Sequence, residues 1–69
     1  MLPDKTWILR FYLPTGETEE VEHVDEALAF HHFSLFGQSD ADIYTRIDLV
    51  CHDWHLRKET LIGTRHLYA

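Results

Sequence analysis

The chain carries six histidines among only 69 residues, and most of them lie in two short runs. One run is His31-His32 and the other is Cys-His-Asp-Trp-His at residues 51–55, while His23 and His66 stand apart. Imidazole is the commonest metal ligand and the side chain whose ordinary pKa lies closest to neutral pH. These residues therefore point to two kinds of chemistry, which are metal binding and a response to pH.

A zinc site is the first hypothesis that these residues suggest. Cys51, Asp53 and His55 would share one side of an extended chain, and thiolate, carboxylate and imidazole all suit zinc. His32 could complete the set if its helix packs over that end of the strand. The candidate metal ligands are therefore Cys51, His55 and His32. Neither a CxxC nor an HxxxH spacing is present. We therefore favour the alternative that Cys51 is a small core residue and the histidines are polar surface groups, and we expect no cofactor.

His32 has a second interpretation, because it falls in the middle of an apolar helical stripe. A buried imidazole without a partner would be costly. We expect it to hydrogen-bond to a backbone carbonyl or a tyrosine hydroxyl. Cys51 could act as a nucleophile only with an oriented imidazole beside it. The sequence shows no oxyanion-hole signature, so we predict no catalytic residue and no enzyme activity.

The charge of the chain is acidic and unevenly distributed. Twelve acidic residues against six basic ones give a formal charge of −6, which disfavours direct binding to nucleic acid. Half of the acids lie within ten residues: Glu17, Glu19, Glu20, Glu22, Asp25 and Glu26. Such a patch could occupy a basic site, as an inhibitor or nucleic-acid mimic would. We favour the alternative of a solvated edge that keeps the strand from unwanted pairing.

Hydrophobic periodicity predicts a small α+β domain over residues 1–69 with the element order β-β-α-β-β. Strands are predicted over 6–13, 18–24, 43–52 and about 58–67, and Gly63 indicates a bulge in the last one. A helix is predicted from the N-cap Asp25 to Gly37 as C′ residue. The expected architecture is a four-stranded, mostly antiparallel sheet with the helix packed on one face.

The predicted strand phases give the sheet two different faces. Trp7, Leu9 and Phe11 would face the helix, whose wide apolar stripe contains Leu28, His32, Leu35 and Phe36 beside Ala29 and Phe33. The opposite face would carry arginine and tyrosine, the residue types enriched at protein interfaces. The candidate interaction residues are Arg10, Tyr12, Phe30, Tyr44 and Arg46. A chain this short also gains from burial against a partner, so we predict a homodimer.

Other features of the sequence limit where the protein acts. No apolar run approaches the length that a membrane-spanning helix requires, so no membrane partner is expected. Cys51 is the single cysteine and cannot form an internal disulfide, which fits a reducing compartment. We expect a cytoplasmic protein. The layout, with Tyr-x-Arg-Ile-x-Leu at Tyr44–Leu49, resembles small acidic proteins of bacterial mobile elements and phages.

Overall fold

The computed structural model describes residues 4–36 and 41–67. Within them, one sheet of four strands is combined with a single helix. The elements are β1 (Lys5–Tyr12), β2 (Thr18–His23), α1 (Glu26–Ser34), β3 (Arg46–Asp53) and β4 (Lys58–His66). Neighbouring strands are antiparallel in the spatial order β2-β1-β3-β4. The predicted α+β fold and its β-β-α-β-β order are confirmed.

The turn between β1 and β2 depends on one glycine. Leu13 N–H donates to Glu17 O over 2.9 Å, and Gly16 N–H donates to Leu13 O over 3.0 Å. Gly16 has a φ of 94°, in the left-handed region that residues with a Cβ rarely adopt. No atom lies within 4 Å of the position that a Cβ would occupy there. The requirement for glycine is therefore one of backbone conformation and not of space.

Replacing Gly16 with alanine should lower the free energy of unfolding by about 1–2 kcal/mol, the cost of a left-handed conformation for an L-residue. Urea denaturation followed by circular dichroism measures this loss in the free energy of unfolding. Gly63→Ala is the matched control, because a Cβ at Gly63 would only come into ordinary contact with the Phe33 ring, at 3.6 Å. Equal losses in the two variants would show that the φ of Gly16 is not the cause.

Helix α1 begins as the sequence predicts. The carboxylate of Asp25 accepts hydrogen bonds from the backbone N–H groups of Ala27 and Leu28, over 2.8 and 3.4 Å. At the other end, Leu35 N–H donates to His32 O. The predicted C′ residue, Gly37, lies outside the described residues. In the described part of the chain, no helix is long and apolar enough to cross a membrane.

The apolar stripe of α1 is narrower than predicted. Ala29 is fully buried, and Phe33 and Phe36 pack against the core beside it. Leu28 and Leu35, which were predicted to lie on the buried face, are mainly exposed. They lie on the side of the helix that faces away from the central strands. A helix of nine residues covers only part of a four-stranded sheet, so its flanking side chains have nothing to pack on.

The core lies between α1 and the two central strands. Leu9 of β1 is directly opposite Leu49 of β3, and Phe11 is opposite Ile47. Leu9, Ile47 and Leu49 are the largest side chains that are fully buried in the described residues. Because side chains alternate along a strand, Ile8, Arg10 and Tyr12 face away from this core. The two-faced sheet that the pattern of β1 predicts is present.

The start of β3 differs from the prediction. The strand begins at Arg46 and not at residue 43, and residues 41–45 form a turn and a bend. The backbone N–H of Thr45 donates to Tyr12 O over 2.8 Å and closes this connection onto β1. The alternation of side chains along β3 therefore cannot be extended back to residue 44, which lies before the strand. Tyr44 packs on Phe11, with ring centroids 4.9 Å apart, on the same side of the sheet as α1.

Pairing of β3 with β4 contains one irregularity. Leu49 is opposite Gly63, whereas the next residue, Val50, is opposite Leu61, so Ile62 has no partner in the register. The bulge therefore lies beside Gly63, where the sequence indicated one. One extra residue reverses the alternation of the strand on either side of it. The bulge thus decides which side chains of β4 share a face with β1 and β3.

Candidate interaction surface

The face of the sheet opposite α1 is called the open face here, since no helix or strand of the described residues packs on it. The strand register and the alternation of side chains show which residues belong to this face. Its members are Thr6, Ile8, Arg10, Tyr12, Thr18, Glu20, Glu22, Arg46, Asp48, Val50, His52, Glu59, Leu61, Thr64 and His66. Charged, aromatic and aliphatic side chains are therefore mixed on one continuous surface.

Arg10 connects the two edge strands across this face. Its Nε lies 2.6 Å from Oε2 of Glu20 on β2, and one of its terminal nitrogens lies 3.7 Å from Oε2 of Glu59 on β4. The hydrogen bond to Glu20 raises the pKa of Arg10 above its already high value. Glu59 also lies 3.6 Å from Nδ1 of His52. The charges in the middle of the open face are thus paired within the chain.

A second group of paired charges is centred on Asp48. Arg46 donates to both of its carboxylate oxygens, over 3.0 and 2.7 Å, which is the two-pronged geometry typical of arginine. Thr64 of β4 donates a further hydrogen bond to the same carboxylate. The guanidinium carbon of Arg46 lies 4.2 Å from the centre of the Tyr12 ring. Three strands therefore contribute to one network.

Asp48 is buried although no second layer covers it. Only 3 % of its surface is exposed. Burial alone would raise the pKa of this carboxylic acid, but the hydrogen bonds from Arg46 and Thr64 outweigh burial and lower the pKa below its ordinary value. The hydrogen bonds from Arg46 and Thr64 therefore favour the ionised form of Asp48. The open face is an ordered surface and not a loose set of solvated charges.

One end of the open face is apolar. Val50 is buried and Ile8 half-buried, whereas Leu61 is 58 % exposed. Trp54, in the turn after β3, donates from its indole nitrogen to Thr6 Oγ1 over 2.9 Å. Its ring centroid lies 4.1 Å from that of His52. An exposed tryptophan held in place by a hydrogen bond is a rigid apolar contact site.

The structure brings together three of the five predicted interaction residues. Arg10, Tyr12 and Arg46 share the open face, as predicted. Tyr44 does not, because it packs on the core on the side of α1. Phe30 is exposed on α1 and therefore lies on the opposite side of the molecule. Leu61 also lies on the open face, opposite Val50, a pairing between strands that the sequence analysis did not assign.

The predicted acidic patch is divided in space. Glu20 and Glu22 lie on the open face, where Glu20 pairs with Arg10 and Glu22 accepts a hydrogen bond from Thr6 over 3.0 Å. Glu19 is opposite Phe11 in the register and therefore points to the other side of β2. The remaining residues lie in the turn before β2 and at the start of α1: Glu17, Asp25 and Glu26. The acids are close in sequence, but they do not form one surface.

The predicted metal ligands are not grouped. Cys51 is half-buried on the side of the sheet that faces α1, and His55 is exposed in the turn after β3. Asp53 accepts hydrogen bonds from the N–H groups of Leu56 and His55, which lower the pKa of its carboxyl group, and so it closes that turn. Within residues 4–36 and 41–67, no three histidine, cysteine, aspartate or glutamate side chains are placed to hold a metal ion.

His32 has a different partner from the expected carbonyl or tyrosine hydroxyl. Its Nδ1 lies 2.9 Å from Nε2 of His23 on β2. The two rings are nearly perpendicular, with centroids 5.2 Å apart. Phe11 and Phe36 flank the His32 ring. His23 lies nine residues before His32 on another element, so this pairing carries no signal in the local sequence.

Comparison with known proteins finds no family model that matches the chain, and no curated protein or solved structure similar enough to count as a match.

Proposed function

We propose that the protein is a non-enzymatic interaction module that binds a protein partner through its open face, and that this partner is a second copy of the chain. The observation that supports the proposal best is the charge pairing on this face. Arg10 and Arg46 each contact a carboxylate of the same chain. Charges that are already paired within the chain cost less to bury in an interface than unpaired charges, because neither is left without a partner when the solvent is removed.

The small core supports a partner as well. Few large side chains are fully buried, and a domain of this length is marginally stable alone. The exposed side chains of Trp54 and Leu61 lie on or beside the open face. In a symmetric dimer the same patch is used twice, so each apolar group is buried in both copies. Tryptophan, tyrosine and arginine are also the residues that most often dominate binding energy.

The proposed site of action is the cytoplasm, which the free thiol of Cys51 fits. An acidic inhibitor or nucleic-acid mimic is the alternative function. The arrangement of the acids supports it less well, because Glu20 and Glu22 already have partners in the chain and Asp25 caps α1. A protein that imitates nucleic acid needs its carboxylates together and free to meet a basic site.

The proposal predicts that Leu61→Asp prevents dimer formation. A carboxylate on the open face would have to lose its solvent without a partner, so we expect the dissociation constant to rise by about a hundredfold or more. Sedimentation equilibrium at micromolar concentrations measures the change. Leu28→Asp is a matched control, because Leu28 is 57 % exposed and Leu61 is 58 % exposed, but they lie on opposite sides of the molecule.

Three results would contradict the proposal. The unmodified chain could remain monomeric at high concentration, the two variants could dissociate equally, or Leu28→Asp alone could dissociate. The last result would show that the dimer interface lies on α1 and not on the open face. Charge reversal at Glu17 and Glu19 tests the alternative function, because both lie off the open face. It should abolish binding to a basic partner and leave the dimer intact.

A further inference from the structure

The hydrogen bond between His23 and His32 can exist in only some protonation states. A neutral imidazole has one nitrogen that donates and one that accepts, whereas a protonated imidazole only donates. With both rings neutral, or with one of them protonated, one nitrogen of the pair can accept. With both protonated, two donors and two positive charges face each other over 2.9 Å. The bond is then lost and replaced by repulsion.

The surroundings of the pair increase this sensitivity. The ring centroid of His32 lies 6.1 Å from that of Phe11 on β1 and 5.4 Å from that of Phe36 after α1, so aromatic rings occupy these sides. The titratable groups that act on it are His23 from β2 and His31 from α1 itself. Burial lowers the pKa of His32, and charge on His23 and His31 lowers it further. The neutral form of His32 is therefore the one that fits the folded structure.

Helix α1 is otherwise held on the sheet by its apolar side chains and by a hydrogen bond from Arg65 of β4 to Phe33 O over 3.1 Å. Ala29 is its single fully buried residue, and Phe33 and Phe36 are partly buried. No described hydrogen bond other than that of His32 joins a side chain of α1 to β2. Loss of the pair therefore weakens the attachment of α1 at the β2 side of the molecule, while the pairing of β1 with β3 is unaffected.

We propose that His23 and His32 form a proton-operated latch, which holds α1 against β2 at neutral pH and releases it when both rings are protonated. Release would expose the apolar side chains between the helix and the sheet, which are Phe11 of β1, Phe33 of α1 and Phe36 after α1. The closed state is favoured above the ordinary histidine range, and this preference is lost as the pH falls through about 6.5, because the released state binds protons more readily. The latch is independent of the proposed dimer interface, which lies on the other face.

Amide hydrogen exchange on the full chain tests the latch. Protection factors are compared at pH 7.5 and pH 5.0, so that the intrinsic dependence of exchange on pH cancels. We expect amides of α1 to lose protection by roughly tenfold relative to β1 and β3, as for the loss of one hydrogen bond to a half-buried group. His23→Gln should remove this difference, because a glutamine amide can donate to or accept from His32 in either protonation state.

His31→Gln is the matched control, since His31 adjoins His32 but is exposed. This variant should still respond, although at a slightly higher pH, because the charge of His31 no longer lowers the pKa of His32. Nitrogen chemical shifts of the imidazoles in the unmodified chain give a second readout that needs no variant, because they show whether a nitrogen of the pair still accepts at pH 5.0. The proposal is overturned if α1 keeps its protection at pH 5.0, if His23→Gln responds as the unmodified chain does, or if one ring stays neutral and bonded.

Discussion

Replacing Leu9 with alanine is expected to unfold most of the protein at room temperature. Leu9 is fully buried on the central strand β1 and lies opposite Leu49. Removing a leucine side chain from a packed core costs about 2–5 kcal/mol, through lost burial and the cavity left behind. A single core of this size supplies no more than about 3–5 kcal/mol of stability. The loss is therefore similar to the whole free energy of unfolding.

Urea denaturation followed by circular dichroism and tryptophan fluorescence gives the measurement. The cooperative transition should shift strongly to lower urea or disappear. Leu56→Ala is the control, because Leu56 is exposed in the turn after β3 and its loss should change stability by no more than about 0.5 kcal/mol. A loss below about 1 kcal/mol for Leu9→Ala would show that the side chain is not packed as described.

The second large effect is expected at Asp48, whose replacement by asparagine keeps the volume but removes the charge. Hydrogen bonds to charged groups contribute about 1.5–3 kcal/mol each, and Arg46 and Thr64 donate to this carboxylate. An asparagine can still accept one of these bonds. We therefore expect the free energy of unfolding at pH 7 to fall by about 1–3 kcal/mol. Arg46 is partly exposed and can return to water, so the loss should not be larger.

The pH dependence identifies the charge as the cause. The folded pKa of Asp48 lies below its ordinary value, so the unfolded chain binds the proton more readily. The stabilisation is present above the ordinary pKa near 3.8 and is lost as the pH falls through the lower folded pKa. The difference in unfolding free energy between the unmodified chain and Asp48→Asn should therefore shrink as the pH falls below that ordinary value. A difference that stays constant down to low pH would indicate a packing effect.

Glu20→Gln is the control for Asp48→Asn, because Glu20 also pairs with an arginine but its side chain is 48 % exposed. Exposed ion pairs contribute at most about 1 kcal/mol. Urea denaturation of the three proteins at several pH values completes the comparison. If Glu20→Gln costs as much as Asp48→Asn, burial is not what makes the Asp48 network strong.

Parts of the candidate site could be predicted because they depend on local geometry. Arg10 and Tyr12 lie on the face opposite Leu9, since side chains alternate along every strand. Asp25 caps α1 because its short carboxylate reaches the N–H groups two and three residues ahead. These relations span few residues, so the sequence contains all that decides them.

Other parts depend on contacts between distant residues. Tyr44 was predicted on the open face, but the start of β3 is decided by its pairing with β1, where Thr45 donates to Tyr12 O. Thr64 shares the open face with Leu61, although the two are three residues apart, because of the bulge beside Gly63. The partner of His32 is on β2 and could not be found from the helix alone.

By itself, the sequence determined the element order, the two faces of β1, the N-cap of α1 and the turn between β1 and β2, because backbone geometry and hydrogen bonding over a few residues decide these. The tertiary structure alone decided how the charged and titratable residues are grouped. It paired Glu20 with Arg10, kept Cys51 and His55 out of a common metal site, and placed His23 beside His32. The physical reason is that register, bulges and helix placement result from packing across the whole sheet, where residues far apart in the chain become neighbours.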